Sequence, residues 1–227
     1  MTKRQRTLSE VDLQTALIFG EVGRDFMKET RCLVFALSQA SKDAVSSAMD
    51  KLAIRVWPLG TMVDRGVNPV LIDSEARIAV LEVEYDLMKY YSKRGVQARH
   101  SEVVDLIERS LSILPEKVGI DLTELVLQLT ALRNRGFAVS DDVGGWVSNS
   151  NKTISIKLFY TFDENQIELG VSVKRKGGRV ITKQVFASFA PTKMAILYEL
   201  GKLEFQDVDS VVYSPRSHFG GIAFTVE

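Results

Sequence analysis

The chain reads as an α+β protein, with an N-terminal all-helical half over residues 1–145 and an antiparallel β-β-β-α-β-β unit over residues 146–227. Two observations predict this. Before Trp146 the apolar residues recur at helical intervals between Gly and Pro breaks; after it they alternate with polar residues at strand spacing. A chain of 227 residues, 45% hydrophobic and 26% charged, is long enough to bury a core without disulfide or metal staples.

In the first half, Leu13, Leu17, Ile18 and Phe26 fall at helical spacings, which predicts two helices with a break near Gly20–Gly23. The polar stretch Ser38–Asp43 separates them from a short helix to about Leu52. Pro58, Gly60, Gly66 and Asn68-Pro69 make residues 54–69 a long connection that opens with a short strand at Ile54–Trp57. Asp73 then caps the most strongly signalled helix: Glu75 sits in its first turn, Ile78, Leu81, Val83, Leu87 and Tyr91 supply apolar faces, and Lys93 and Arg94 precede the stop at Gly95. Glu82, Glu84 and Asp86 alternate, so they do not share one helical face, which opposes a carboxylate cluster for metal or acid–base chemistry. Ser101 caps a further helix to Leu114. Asp121 caps the last one, in which Leu122, Leu125, Leu129 and Leu132 form a buried seam ended by Gly136.

The order helix, short helix, helix, then Leu132-Arg133-Asn134-Arg135-Gly136-Phe137-Ala138-Val139 leading into a strand, resembles a winged helix-turn-helix over residues 101–139. The resemblance implies a DNA-reading helix from Asp121 to Arg135, with Thr123, Gln128, Thr130 and Arg133 directed outward. The same residues also fit ordinary helix packing, because Asp121 and Glu124 in the first turn would repel phosphate.

In the second half, Asp141, Asp142, Gly144 and Gly145 predict a turn, and Trp146 opens a strand or linker. Ile154 to Phe162 and Ile167 to Val173 alternate as half-buried strands joined by a turn at Asp163-Glu164-Asn165, and residues 179–187 return after Lys176-Gly177-Gly178. Pro191 opens a helix with Met194, Leu197, Tyr198 and Leu200 inward, and two more strands follow at Val208–Tyr213 and Gly221–Val226. This element order is similar to that of type III secretion chaperones, a likeness of fold alone.

Lysine plus arginine and aspartate plus glutamate are 29 each, so no global field draws the chain to nucleic acid or to an anionic membrane, and any such role is local. Cys32 alone rules out an internal disulfide and reads as a small buried hydrophobe. Apolar runs too short to span a bilayer predict a cytoplasmic protein with no membrane partner. His100, expected at a helix entrance, and His218 are the only imidazoles. The loop Ser214–Gly221 gathers Ser217, His218 and Arg216 but no carboxylate, and it reads as a turn or an anion- or partner-binding loop. No cofactor or metal signature is present, which predicts a non-enzymatic protein.

The densest positive charge lies in the second hairpin: Lys174, Arg175, Lys176 and Arg179, with Lys183 on the return strand. The leading expectation is therefore DNA or RNA binding through this hairpin and the winged-helix-like segment. The alternative is a homo-oligomeric or partner-binding assembly protein, hinted at by Phe159 on the predicted outer strand face.

Overall fold

A computed structural model describes the chain except for residues 1–5, 138, 164, 179, 191–199, 217–219 and 227. The chain divides into two compact units, Met1–Phe137 and Ala138–Glu227.

The first unit is not all-helical. It holds a four-stranded sheet in the order β1-β2-β4-β3, formed by β1 (Glu10–Thr15), β2 (Lys51–Trp57), β3 (Val70–Asp73) and β4 (Ile78–Glu84). β1, β2 and β4 run parallel, and β3 pairs antiparallel with β4. The 25-residue helix α1 (Gly20–Ala44) joins β1 to β2 and packs along β1, while α2 (Thr61–Asp64) and α3 (Leu87–Tyr91) are single turns. Helix α4 (Val96–Leu111) reaches β4, and α5 (Leu122–Asn134) packs on α1 and α4. The covered face of the sheet buries Val11, Leu13, Leu52, Ile54, Val56, Ala79 and Leu81. Its opposite face carries the charged residues Glu10, Asp12, Lys51, Arg55 and Glu82.

The helical expectation failed in the first unit for identifiable reasons. Leu13, Leu17 and Ile18 are helically spaced, yet Val11 and Leu13 are the inward positions of a strand and Leu17 belongs to a 3-10 turn, Leu17–Phe19. Residues 78–83 carry apolar side chains at both parities, a pattern that fits a helix as well as a strand in a parallel sheet. Asp73 caps a hairpin turn and not a helix: its Oδ1 accepts the N–H groups of Glu75 and Ala76 at 3.0 and 2.8 Å. The polar stretch Ser38–Asp43 does not break α1, and the segment expected to be helical up to Leu52 instead leads into β2.

Ser38 explains part of this. Its Oγ accepts the Val11 N–H at 3.0 Å and lies 2.8 Å from the Val11 carbonyl, so a helix hydroxyl caps a buried peptide of the edge strand β1. His100 is likewise no entrance residue: it lies inside α4, 4% exposed, edge-on to Phe137 with ring centroids 5.6 Å apart. Burial holds its imidazole below the ordinary value and thus neutral.

The second unit contains an antiparallel meander of β5 (Val139–Ser148), β6 (Ile154–Phe162), β7 (Ile167–Arg175) and β8 (Val180–Phe189). A three-stranded sheet of β9 (Lys202–Phe205), β10 (Ser210–Ser214) and β11 (Ile222–Thr225) accompanies it. Strict alternation places Ile156, Leu158, Leu169, Val171 and Val173 on one buried face. Phe186 of β8 stacks on Phe224 at 4.6 Å and meets Tyr213, which ties the two sheets together. The strand expected to follow Val139 is β5, which runs through the turn expected at Asp141–Gly145; β9 is an addition to the expected order, and the expected helix at 191–200 falls almost wholly outside the described residues.

Trp146 does not open a strand. Pairing passes from Val143↔Leu158 to Val147↔Ile156, so Gly144, Gly145 and Trp146 form a bulge inside β5. Gly144 supplies the left-handed conformation there, with φ 70°.

Candidate nucleic-acid interface

Two neighbouring hairpin ends in the second unit carry a concentrated set of cations. The β7–β8 turn presents Lys174, Arg175 and Lys176, all exposed, and Gly177, with φ 74°, makes the reversal. Beside it, the β5–β6 turn presents Lys152, held in the left-handed region at φ 55°. That turn is fixed by Asn149, whose Oδ1 accepts the N–H groups of Thr153 and Ile154 at 2.9 and 3.1 Å, and by Asn151, whose Oδ1 accepts the Thr153 hydroxyl proton. The Lys176 N–H donates to the Thr153 carbonyl at 2.8 Å and links the two ends.

Strand register extends the set. Ser155 pairs with Lys174, and Lys157 pairs with Ser172, which in turn faces Lys183. Lys157, Lys174 and Lys183 therefore share one face of the meander. Lys157 is bound to Asp142 at 3.0 Å. Lys152, Lys174, Arg175, Lys176 and Lys183 form no ion pair with any described residue. The exposed turn Asp207–Asp209, where the Val208 carbonyl accepts from Asn149 Nδ2 at 2.8 Å, brings acidic side chains to the border of this surface.

Phe159 lies on the same sheet face but is 2% exposed. Opposite it stands Gly170, where a Cβ would fall 2.5 Å from the ring, so the phenyl group lies over the glycine. Lys183 covers it from outside, with Nζ 4.7 Å from the ring centroid. Phe159 thus supplies neither an exposed apolar patch for a partner nor a stacking platform for bases.

The four candidates on α5 belong to the first unit. Thr123 is exposed; Thr130 is exposed and its hydroxyl donates to the Val126 carbonyl at 3.0 Å; Gln128 Nε2 donates to Glu124 Oε1 at 2.6 Å; Arg133 donates to Asp105 at 2.6 Å and lies 3.6 Å from Glu108. The Asp121 cap forms as expected, accepting the Glu124 N–H at 3.0 Å. The apolar side chains that α5 turns outward are Val126, Leu127 and Ala131, beside the polar Thr123, Thr130 and Asn134. Arg179, Ser217 and His218 lie outside the described residues.

Sequence reasoning missed Lys152, because the reach of the β5–β6 turn toward the β7–β8 turn depends on how far β5 extends. Glu82 and Glu84 share a strand face after all, but each is engaged locally. Glu82 accepts from Arg55 and Trp57; Glu84 accepts the Met62 N–H at 2.7 Å, and such backbone bonds hold its carboxyl below the ordinary range. Among the described residues no group of three or more His, Cys, Asp and Glu side chains is arranged to hold a metal, and no helix is long and apolar enough to cross a membrane. No family model, curated protein or solved structure matches the chain, so the winged helix-turn-helix and type III secretion chaperone likenesses gain no support from relatives.

Proposed function

We propose that the protein binds nucleic acid through the paired hairpin ends of its second unit, by contacts to the phosphate backbone. One observation carries this reading: Lys152, Lys174, Arg175 and Lys176 stand on two turns joined by the Lys176 to Thr153 hydrogen bond, with no carboxylate partner among the described residues. Unpaired cations that neutralise phosphates displace the counterions condensed on the nucleic acid. Phe159, being covered, offers no stacking platform, and contacts to phosphate make binding tolerant of sequence and steep in salt. The α5 segment has no part in it, since Gln128 and Arg133 are engaged within the first unit.

Fluorescence anisotropy of a labelled 20-base-pair DNA duplex, with single-stranded DNA and RNA in parallel, tests the reading. The expected result is binding to at least one of the three, weakened about a hundredfold in Lys174→Ala/Arg175→Ala/Lys176→Ala at low salt. No binding to any of them, or equal binding by the variant, sinks the proposal.

A second reading, self-association of the first unit, is favoured by the exposure of Val126 and Leu127 on α5, 39% and 55%. Light scattering at several concentrations tests it. A dimer mass that reverts to monomer in Leu127→Glu supports this reading, and a monomer throughout overturns it.

A further inference from the structure

The carboxyl ends of β1, β2 and β4 lie at one edge of the first unit's sheet, where open α/β sheets place their ligands. A cleft of about 450 Å³ opens there, within the roughly 300–1,000 Å³ range of small-molecule sites. Gln14 and Thr15 line it from β1, Leu17 from the following 3-10 turn, Arg55 and Trp57 from β2, and Arg65 from the end of α2.

Two of these side chains are set by one buried carboxylate. Glu82, whose side chain is 1% exposed, accepts Arg55 Nη1 on Oε1 at 2.7 Å and Trp57 Nε1 on Oε2 at 2.6 Å. A carboxylate buried on an otherwise half-open sheet face is costly unless it is fully bonded, and its bonds here fix both an arginine and an indole at the cleft wall. Arg55 uses one nitrogen on Glu82, and a guanidinium has five N–H donors in a fork, so a further edge stays available. Arg65 is exposed, and its side chain makes no ion pair with any described residue. Leu17, 99% exposed, is an apolar side chain with nothing over it. The wall thus combines a pre-positioned guanidinium, a second free one, an indole and aliphatic surface.

We infer that this cleft binds a small anion bearing a flat ring, with Arg55 and Arg65 taking the charged group while Trp57 and Leu17 take the ring. A carboxylate or a phosphate monoester fulfils the anionic part equally well. The inference is independent of the basic hairpins, which belong to the other unit.

Trp57 and Trp146 are the only tryptophans, so Trp146→Phe leaves Trp57 as the sole indole reporter. In that background, emission is titrated with adenosine 5′-monophosphate and with benzoate, and with the neutral adenosine and benzamide as controls. Saturable quenching by either anion, at least tenfold weaker in Arg65→Ala, supports the inference. The more potent of the two anions distinguishes phosphate from carboxylate. An unchanged circular dichroism spectrum and melt show that Arg65→Ala folds. The inference is overturned by an absence of saturable change with both anions up to millimolar concentration, by equal response to the neutral controls, or by indifference to Arg65→Ala.

Discussion

The two units differ in how their densest groups of cations are held, although Arg65 of the first unit also makes no ion pair among the described residues. In the first, Lys51 bridges Glu10 and Asp12, Arg77 meets Asp50, and Arg133 meets Asp105 and Glu108. Buried Glu102 gathers Lys89 at 2.8 Å, Lys93 at 3.5 Å, Arg109 at 3.6 Å and the Tyr85 hydroxyl at 3.1 Å. Burial alone would raise the Glu102 carboxyl, yet the bonds from Lys89 and Tyr85 hold it below the ordinary range. In the second unit Lys157–Asp142 is the one ion pair among the described residues; Lys152, Lys174, Arg175 and Lys176 at the hairpin ends have no ion-pair partner among them, and Lys183 lies over the Phe159 ring. A net charge of zero over the chain conceals this division. Where charge can act on a partner is decided by pairing and not by totals.

The largest expected effect is a dissociation between binding and stability. Lys174→Ala/Lys176→Ala should lower affinity for the nucleic acid bound about tenfold or more while moving the melting midpoint little, because exposed unpaired lysines contribute within about 0.5 kcal/mol to stability. Lys89→Ala/Lys93→Ala should leave affinity unchanged. Anisotropy and thermal melts on both variants check this, and a shared effect of the two pairs would erase the contrast.

Next in size are the buried polar contacts of the first unit. Ser38→Ala strands the Val11 N–H at a residue 2% exposed, and a cost of about 1–3 kcal/mol is expected from urea unfolding followed at Trp57 in a Trp146→Phe chain. Acid sensitivity should follow from His100. Its folded pKa lies below the unfolded one, so the unfolded chain takes up the proton first. The associated stability is fully present above about pH 6.5 and is lost as pH falls below it toward the depressed folded value. Urea midpoints should drop between pH 7.5 and 5.5, and the drop should be shallower in His100→Gln; parallel curves would show that His100 does not contribute. Smallest is Lys183→Ala, expected to cost about 0.5–1 kcal/mol through loss of the contact with Phe159, and to raise binding of an apolar dye as the ring is uncovered.

The second unit was far more legible in the sequence than the first. Ile154–Phe162 and Ile167–Arg175 alternate cleanly because each is a strand with one strongly buried face, and period two has no helical rival there. Parallel strands in the first unit lack that signature. Ala53, Ile54 and Val56 of β2 are all buried, and Ile78 to Val83 of β4 is apolar at both parities but for Glu82. The cap at Asp121 was legible, but Asp86, which caps α3 by the same kind of bond, falls inside a longer expected helix, Ser101 lies inside α4 and not at its start, and the same chemistry at Asp73 serves a turn. The basic residues of the β7–β8 hairpin were visible as a run. Their freedom from carboxylate partners, the cover over Phe159 and the addition of Lys152 arise from strand register, which no single segment encodes.

The salt dependence of nucleic-acid affinity tests the central claim most directly. Each phosphate neutralised on duplex DNA contributes a slope of about −0.9 in log K against log salt, so the free cluster predicts a slope of roughly −3 to −4.5 for the unaltered chain. In Lys174→Ala/Arg175→Ala/Lys176→Ala the slope should flatten by about 2 to 3. A slope near zero in the unaltered chain, or one unchanged by the three substitutions, would contradict the account.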